Sequence, residues 1–243
     1  MAKATQTLIP IHEQFYTFQG EGMHAGQAAY FIRSHGCPLH CSWCDSAGTW
    51  HKDWKPHSTP RMGARELVDN VLSTGAPIVI ITGGEPAIWD WSEFTDLLAD
   101  EAPHVQVHIE TSGSFELKGE FDWITVSPKW SKLPLLENLV LANELKLIVE
   151  DAGSIAKWME QLCDITDKNY AEFCVTNDKV IRLHPEWTQR ENMSVLNTIT
   201  RSVKDEPLLF RAGWQMHKLF AADSLDPGSA ELVPLGGCAK NGY

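Results

Sequence analysis

The stretch HGCPLHCSWCDS, residues 35–46, carries three cysteines, Cys37, Cys41 and Cys44, and no fourth. Four thiolates close a structural zinc site or hold a four-iron cluster, one thiolate to each iron. Three would leave one iron of such a cluster open to a small-molecule ligand, by the same logic that leaves catalytic zinc an open position. The alternative is a zinc site of three cysteines and one histidine, drawn from His35, His40 or His51. Structural zinc usually draws on two separated ligand pairs, and the sequence offers no second pair. Cys163 falls on the apolar face of a helical pattern and Cys174 in an apolar run, so both read as core residues. Cys238 lies in the C-terminal stretch.

The elements that must position these cysteines follow from the apolar pattern of a 243-residue chain, in which hydrophobic residues make up 43% and charged residues 21%. Such a chain buries a full core without disulfides. Its first residues, MAKATQTLIP, carry no signal-peptide core, and no window has the ~20 apolar residues of a membrane span. The expected location is the cytoplasm, where clustered cysteines mean metal or catalysis rather than disulfides. Acidic residues outnumber basic ones 32 to 20, for a net charge of −12. With no basic run, direct binding of a long nucleic acid is not expected, although a local basic pocket for a small anion fits. Strands are predicted at 28–36, 77–86, 104–113, 123–129, 143–150, 170–178 and 207–217, and helices at 61–75, 92–100, 154–164 and 186–203. The last helix is expected to turn Met193, Leu196, Ile199 and Val203 inward. This alternation argues for a parallel α/β sheet. One domain is expected over residues 1–225, followed by a loose Gly- and Pro-rich tail over 226–243. Polar or glycine signatures follow the apolar strands: CPLHCSWCDS, TGGEP, ETSG, SPK and TND. Parallel sheets and barrels place their sites at that edge, so these loops are expected to converge.

The spacing Cys-x-x-x-Cys-x-x-Cys, with Trp43 just before the last cysteine, resembles the radical S-adenosylmethionine superfamily. That resemblance implies a partial, TIM-like (β/α)6 barrel. It also implies a 4Fe-4S cluster whose open iron binds S-adenosylmethionine, which is then split reductively to a 5′-deoxyadenosyl radical. TGGEP, Thr82 to Pro86, resembles the superfamily's glycine motif. FQGEG (18–22), FIRSHGC (31–37) and CSWCDSAGTW (41–50), followed in order by ETSG, SPK and ELK, resemble the 7-carboxy-7-deazaguanine synthase family over roughly residues 10–150. The resemblance implies a magnesium-requiring ring contraction of 6-carboxy-5,6,7,8-tetrahydropterin to 7-carboxy-7-deazaguanine with loss of ammonia, on the way to queuosine and other deazapurines. It further implies a homodimer and an electron donor such as flavodoxin or ferredoxin. Rival readings are a glycyl-radical activating enzyme, which shares the cysteine spacing, and a non-catalytic zinc- or cluster-binding module.

Carried onto this chain, the resemblance makes Phe18, Gln19, Gly20, Glu21, Arg33, Thr82, Gln215 and His217 the candidates for the substrate. Gln19 and Glu21 suit the donor-rich edge of a pterin, and Arg33 suits a two-pronged pair with its carboxylate. Glu21 and Arg33 are the candidate catalytic residues, against the plainer readings of a solvated loop acid and a surface ion pair. For S-adenosylmethionine the candidates are the backbone at Trp43, Cys44 and Asp45, then Gly84, Glu110, Ser112, Ser127, Pro128 and Lys129. Ser46 stands where family members place a hydroxyl on magnesium, the plainer reading being a turn cap. Where many members carry a Gln-Pro type turn against adenine, this chain has FCVTND, so Cys174, Val175, Thr176 and Asn177 are carried over on position alone.

Overall fold

A computed structural model describes residues 7–53, 58–167, 169–220 and 222–229. In chain order the strands are β1 (Ile9–Phe18), β2 (Ala28–Ser34), β3 (Arg61–Met62), β4 (Ile78–Gly83), β5 (Gln106–Thr111), β6 (Trp123–Val126), β7 (Glu144–Val149), β8 (Val180–Pro185) and β9 (Phe210–Ala212). The helices are α1 (Ala64–Thr74), α2 (Ser92–Glu101), α3 (Leu136–Leu141), α4 (Ser154–Thr166), α5 (Tyr170–Thr176), α6 (Met193–Asp205) and α7 (Met216–Phe220). All nine strands form one sheet in the order β3-β1-β2-β4-β5-β6-β7-β8-β9. From β2 to β9 every pairing is parallel, and β1 and β3 add an antiparallel edge. The sheet is a partial barrel, open between β3 and β9.

Period-2 alternation gives each strand two faces. Val79 and Ile81 of β4, Val107 and Ile109 of β5, and Leu145 and Leu147 of β7 join the main core. That core also takes Leu67, Val68 and Val71 of α1, Phe94 and Leu98 of α2, and Ile155, Trp158 and Leu162 of α4. The concave face carries a second, small apolar cluster of Ala29, Ile78 and Ile80 with Phe31 against it. Two residues further along, the same face turns polar: Arg33 follows Phe31, and Thr82 follows Ile80. Arg33 and Thr82 stand side by side in the β2–β4 register.

Several expectations change. β1 and β8 are strands that the apolar pattern did not reveal. Residues 170–176, expected as a strand, form α5, because Asn169 caps it by accepting the Glu172 N–H and Tyr170 and Cys174 bury one helical face. The strand follows instead as β8, with Ile181 and Leu183 in the core. The expected helix at 186–203 starts only at Met193, where Asn192 accepts the Ser194 N–H. That start points Val195 and Ile199 inward and leaves Met193 63% exposed. Within 207–217 only Phe210–Ala212 is strand, and α7 begins at Met216. Of the expected tail, residues 226–229 are described, and Asp226 accepts the Tyr16 backbone N–H of β1 at 3.0 Å. Cys238 lies outside the described residues. No helix among the described residues is long and apolar enough to cross a membrane.

Candidate active site

The carboxyl ends of the parallel strands open on one cavity. The cysteine loop after β2 enters it beside the loop after β4, and two glycines make that approach possible. A Cβ on Gly84 would lie 2.1 Å from the Gly36 carbonyl oxygen and 3.1 Å from Cys37 Cβ. Gly83 has φ +133°, and a Cβ there would meet Ser34 backbone at 2.3 Å. Backbone bonds then join the loops, Gly84 N–H to Ser34 O at 3.0 Å and Glu85 N–H to Gly36 O at 2.8 Å. The glycines of TGGEP are therefore required first by backbone against backbone. Glu85, 1% exposed, fastens this loop to the end of β5: it accepts the Ser112 N–H at 2.9 Å, the Ala87 N–H at 3.0 Å and the Thr111 hydroxyl.

Cys37, Cys41 and Cys44 are free thiols, and all three line the cavity. Burial pushes the Cys37 thiol up to about 11 and also raises those of Cys41 and Cys44, and a metal bound there would displace their protons. Among the described residues no three His, Cys, Asp or Glu side chains converge to hold a single ion. Trp50 Nε1 lies 3.3 Å from Cys44 Sγ, and Ser46 Oγ lies 3.8 Å from it. Ser46 precedes a short turn, but its side chain makes no capping bond, so the turn-cap reading fails.

The hairpin loop between β1 and β2 also enters the cavity, with Gln19 and Glu21 lining it. Glu21 Oε2 is 2.6 Å from Lys146 Nζ, and Glu21 Oε1 accepts Gln215 Nε2 at 2.9 Å. Gln19 donates to Glu110 at 2.7 Å and accepts the Glu21 N–H at 3.0 Å. Lys146 also reaches Glu110 at 3.5 Å. Burial alone would raise the Glu21 carboxyl, but Lys146, then His184 and His217, hold it well below the usual carboxylate range. Asp45 is likewise desolvated, yet Lys218 at 3.1 Å holds it low. The loop is anchored from below by Glu144, which accepts the Met23 N–H at 3.1 Å and pairs with Arg182 at 2.8 Å. Gly22, at φ +71°, is what lets the chain pass: a Cβ there would meet Glu144 Oε1 at 2.1 Å. Arg33 does form an ion pair, with Glu13, but at the cavity wall rather than on the outer surface. Lys129 donates to the Ser127 carbonyl and hydroxyl at 2.7 and 2.6 Å, and its ammonium lies 5.3 Å from the Trp43 ring centroid. Burial lowers its pKa, so it is no solvated turn lysine.

Of the candidates, Phe18, Gln19, Glu21, Arg33, Thr82, Gln215 and His217 line this cavity. So do Trp43, Cys44, Asp45, Ser46, Gly84, Glu110, Ser112, Ser127 and Lys129. Gly20 and Pro128 do not; a Cβ on Gly20 would meet His217 Nδ1 at 2.1 Å, so Gly20 makes room for a cavity residue. Cys174, Val175, Thr176 and Asn177 are placed elsewhere. They end α5 and lead into the amino end of β8, where Lys179 N–H bonds Cys174 O at 2.8 Å. Cys174 is buried in the core. Lys146, Glu85 and Lys218 line the site without having been singled out. The first two had a signal, since they sit inside ELK and TGGEP.

Residues 31–129 match the model of the Radical SAM superfamily. A 7-carboxy-7-deazaguanine synthase from Flavobacterium psychrophilum is 36% identical over 211 residues, 87% of this chain and 91% of the relative. The enzyme of that name from Escherichia coli (strain K12) is 38% identical over 179 residues, 65% of this chain and 79% of the relative. The crystal structure of QueE from Escherichia coli superposes with a TM-score of 0.70 at 32% identity, over 86% of this chain and 95% of that one. Matched along nearly its whole folded length and carrying the three-cysteine loop, the chain belongs to the 7-carboxy-7-deazaguanine synthase family of radical S-adenosylmethionine enzymes.

Proposed function

We propose that the protein is a carbon–nitrogen lyase that contracts 6-carboxy-5,6,7,8-tetrahydropterin to 7-carboxy-7-deazaguanine with release of ammonia. The observation that carries this reading is one cavity lined by three free cysteines together with Gln19 and Glu21 of the hairpin loop, Arg33 and Thr82. When bound to Cys37, Cys41 and Cys44, a 4Fe-4S cluster with S-adenosylmethionine supplies the radical chemistry. The chain's own residues hold and orient. Glu21, kept ionised by Lys146, and Gln19 accept and donate along the pterin edge. Arg33 takes the substrate carboxylate, with Glu13 fixing its guanidinium from behind. Lys129, whose ammonium is tied to neutral oxygens rather than to a carboxylate, faces the anionic end of S-adenosylmethionine. Ser46, with its hydroxyl uncommitted to a turn, would hold magnesium beside the substrate carboxylate. By family resemblance the enzyme works as a cytoplasmic homodimer fed by a flavodoxin- or ferredoxin-type donor.

The test is anaerobic reconstitution followed by incubation with S-adenosylmethionine, reductant, magnesium and the tetrahydropterin, with mass spectrometry for 7-carboxy-7-deazaguanine. Product is the expected result. Formation of 5′-deoxyadenosine without product would keep the radical chemistry and discard the substrate.

A further inference from the structure

We propose that Trp50 sets the reduction potential of the cluster by donating its indole N–H to the sulfur of Cys44. The indole nitrogen is a donor only, and its contact with Cys44 Sγ is 3.3 Å. It reaches the cysteine from six residues downstream, so its placement depends on the fold of the intervening turn. That turn is fixed: Ala47, Gly48 and Thr49 are buried, and Trp50 N–H closes it on the Ala47 carbonyl at 3.1 Å. The ring is held on two sides, by His40 stacked at 4.3 Å and 14° and by His51 edge-on at 5.2 Å. Among the described residues, Trp50 donates from a side chain to Cys44, and the Ser46 hydroxyl lies 3.8 Å from the same sulfur.

A one-electron reduction adds negative charge that is shared with the ligating sulfurs. A donor aimed at one of them stabilises the reduced state more than the oxidised state and raises the potential. The electron comes from an external low-potential donor, dithionite or deazaflavin in the assay. The role rests on Cys37, Cys41 and Cys44 holding the cluster. It goes beyond that assignment by giving Trp50 a part in deciding how readily the cluster is charged.

The experiment is a redox titration of the anaerobically reconstituted enzyme, without substrate, followed by the electron paramagnetic resonance of the reduced cluster. Two variants are compared with wild type at equal iron content. Trp50→Phe keeps an aromatic ring for His40 and removes the N–H. The benzothiophene analogue of tryptophan at position 50 keeps size and shape and removes only the N–H, so it decides the matter if Trp50→Phe loads poorly. Both should shift the one-electron equilibrium about tenfold against reduction, about 59 mV more negative. Electron–nuclear double resonance of the reduced wild type should show an exchangeable proton coupling that both variants lack. Equal potentials in fully loaded wild type and isostere would overturn the role of Trp50 alone. A wild type that takes up no cluster would overturn the cysteine assignment and this role together.

Discussion

Replacing Lys146 by methionine keeps the length of the side chain and removes its charge, and it strikes the centre of the polar site. Lys146 Nζ is 2.6 Å from Glu21 and 3.5 Å from Glu110, and all three side chains are less than one-fifth exposed. The substitution leaves Glu21 with Gln215, and Glu110 with Gln19, as their remaining hydrogen-bond donors. Breaking one side of a buried ion pair costs about 3–5 kcal/mol. For a chain of this size that is a fall in melting temperature of roughly 6–20 °C. The cost should also depend on pH. In the wild type the Glu21 carboxyl lies below the ordinary glutamate value of 4.5, so its ionised form stabilises the fold above that value and loses the effect only in stronger acid. Lys146 lies above its ordinary 10.5, so its own contribution is complete below that value and is lost only in stronger alkali. Between these limits the pair is fully formed. In the variant, burial becomes the leading influence on Glu21 and drives its carboxyl upward, so the charged form destabilises at neutral pH and protonation relieves it. The gap between wild type and variant should be widest near neutrality and should narrow as the solution is acidified. Thermal unfolding of loaded enzyme at a series of pH values down to the edge of cluster stability measures it. A gap below about 1 kcal/mol, or one that does not change with pH, would refute the claim that Lys146 holds Glu21 ionised.

Three further perturbations test other parts of the site. Gly84→Ala drives a methyl into the Gly36 carbonyl, so a stability loss of about 1–3 kcal/mol and reduced iron uptake are expected; normal iron content would show that the loop yields. Arg33→Lys should raise the KM for the pterin by roughly 10- to 100-fold, the worth of about 1.5–3 kcal/mol in a charged two-pronged bond, with S-adenosylmethionine affinity unchanged. Ser46→Ala should raise the magnesium concentration for half-maximal turnover by roughly tenfold, about 1.4 kcal/mol for one lost oxygen ligand; an unchanged magnesium response removes Ser46 from the metal.

Elements with strong periodicity or long apolar runs could be read from the sequence. β4 is apolar on both faces, and α4 buries Ile155, Trp158 and Leu162 at helical spacing. β1 was hidden because it is an antiparallel strand whose alternation is broken by a register shift between Ile11 and Glu13, and which is paired on its outer side, among the described residues, only with the two-residue β3. α5 and β8 were misread for a different reason. Tyr170, Phe173 and Cys174 look β-prone, but the cap at Asn169 and the i, i+4 burial of Tyr170 and Cys174 decide for helix. That error carried the supposed adenine contacts to the wrong end of the sheet. Around the cysteines the loops were legible, because their spacing is local and their glycines have no other use. The partners of Glu21 were not: Lys146 lies 125 residues away in sequence and Gln215 lies 194 away, so only the fold brings them together.

Gln215 shows why the carboxyl-terminal segment belongs to the site although it forms no strand there. Its amide nitrogen lies 2.9 Å from Glu21 and 3.2 Å from Asp45, and both partners accept only, so the donor assignment of the amide is forced. One side chain thus ties the loop between β1 and β2 to the residue that follows Cys44. Lys218, one turn on, neutralises Asp45. The same segment is held by Met216 N–H on the Gly20 carbonyl at 2.9 Å and by His217 seated against Gly20. An acidic chain can in this way line a cavity with carboxylates whose charge is met by neighbouring side chains. Glu21 and Asp45 each meet a lysine and share Gln215, Glu110 meets Gln19 and Lys146, and Glu85 is spent on Thr111 and Ser112. With those carboxylates occupied, Lys129 faces the cavity with the Ser127 carbonyl and hydroxyl as its hydrogen-bond partners among the described residues, which leaves its ammonium with donor capacity to spare.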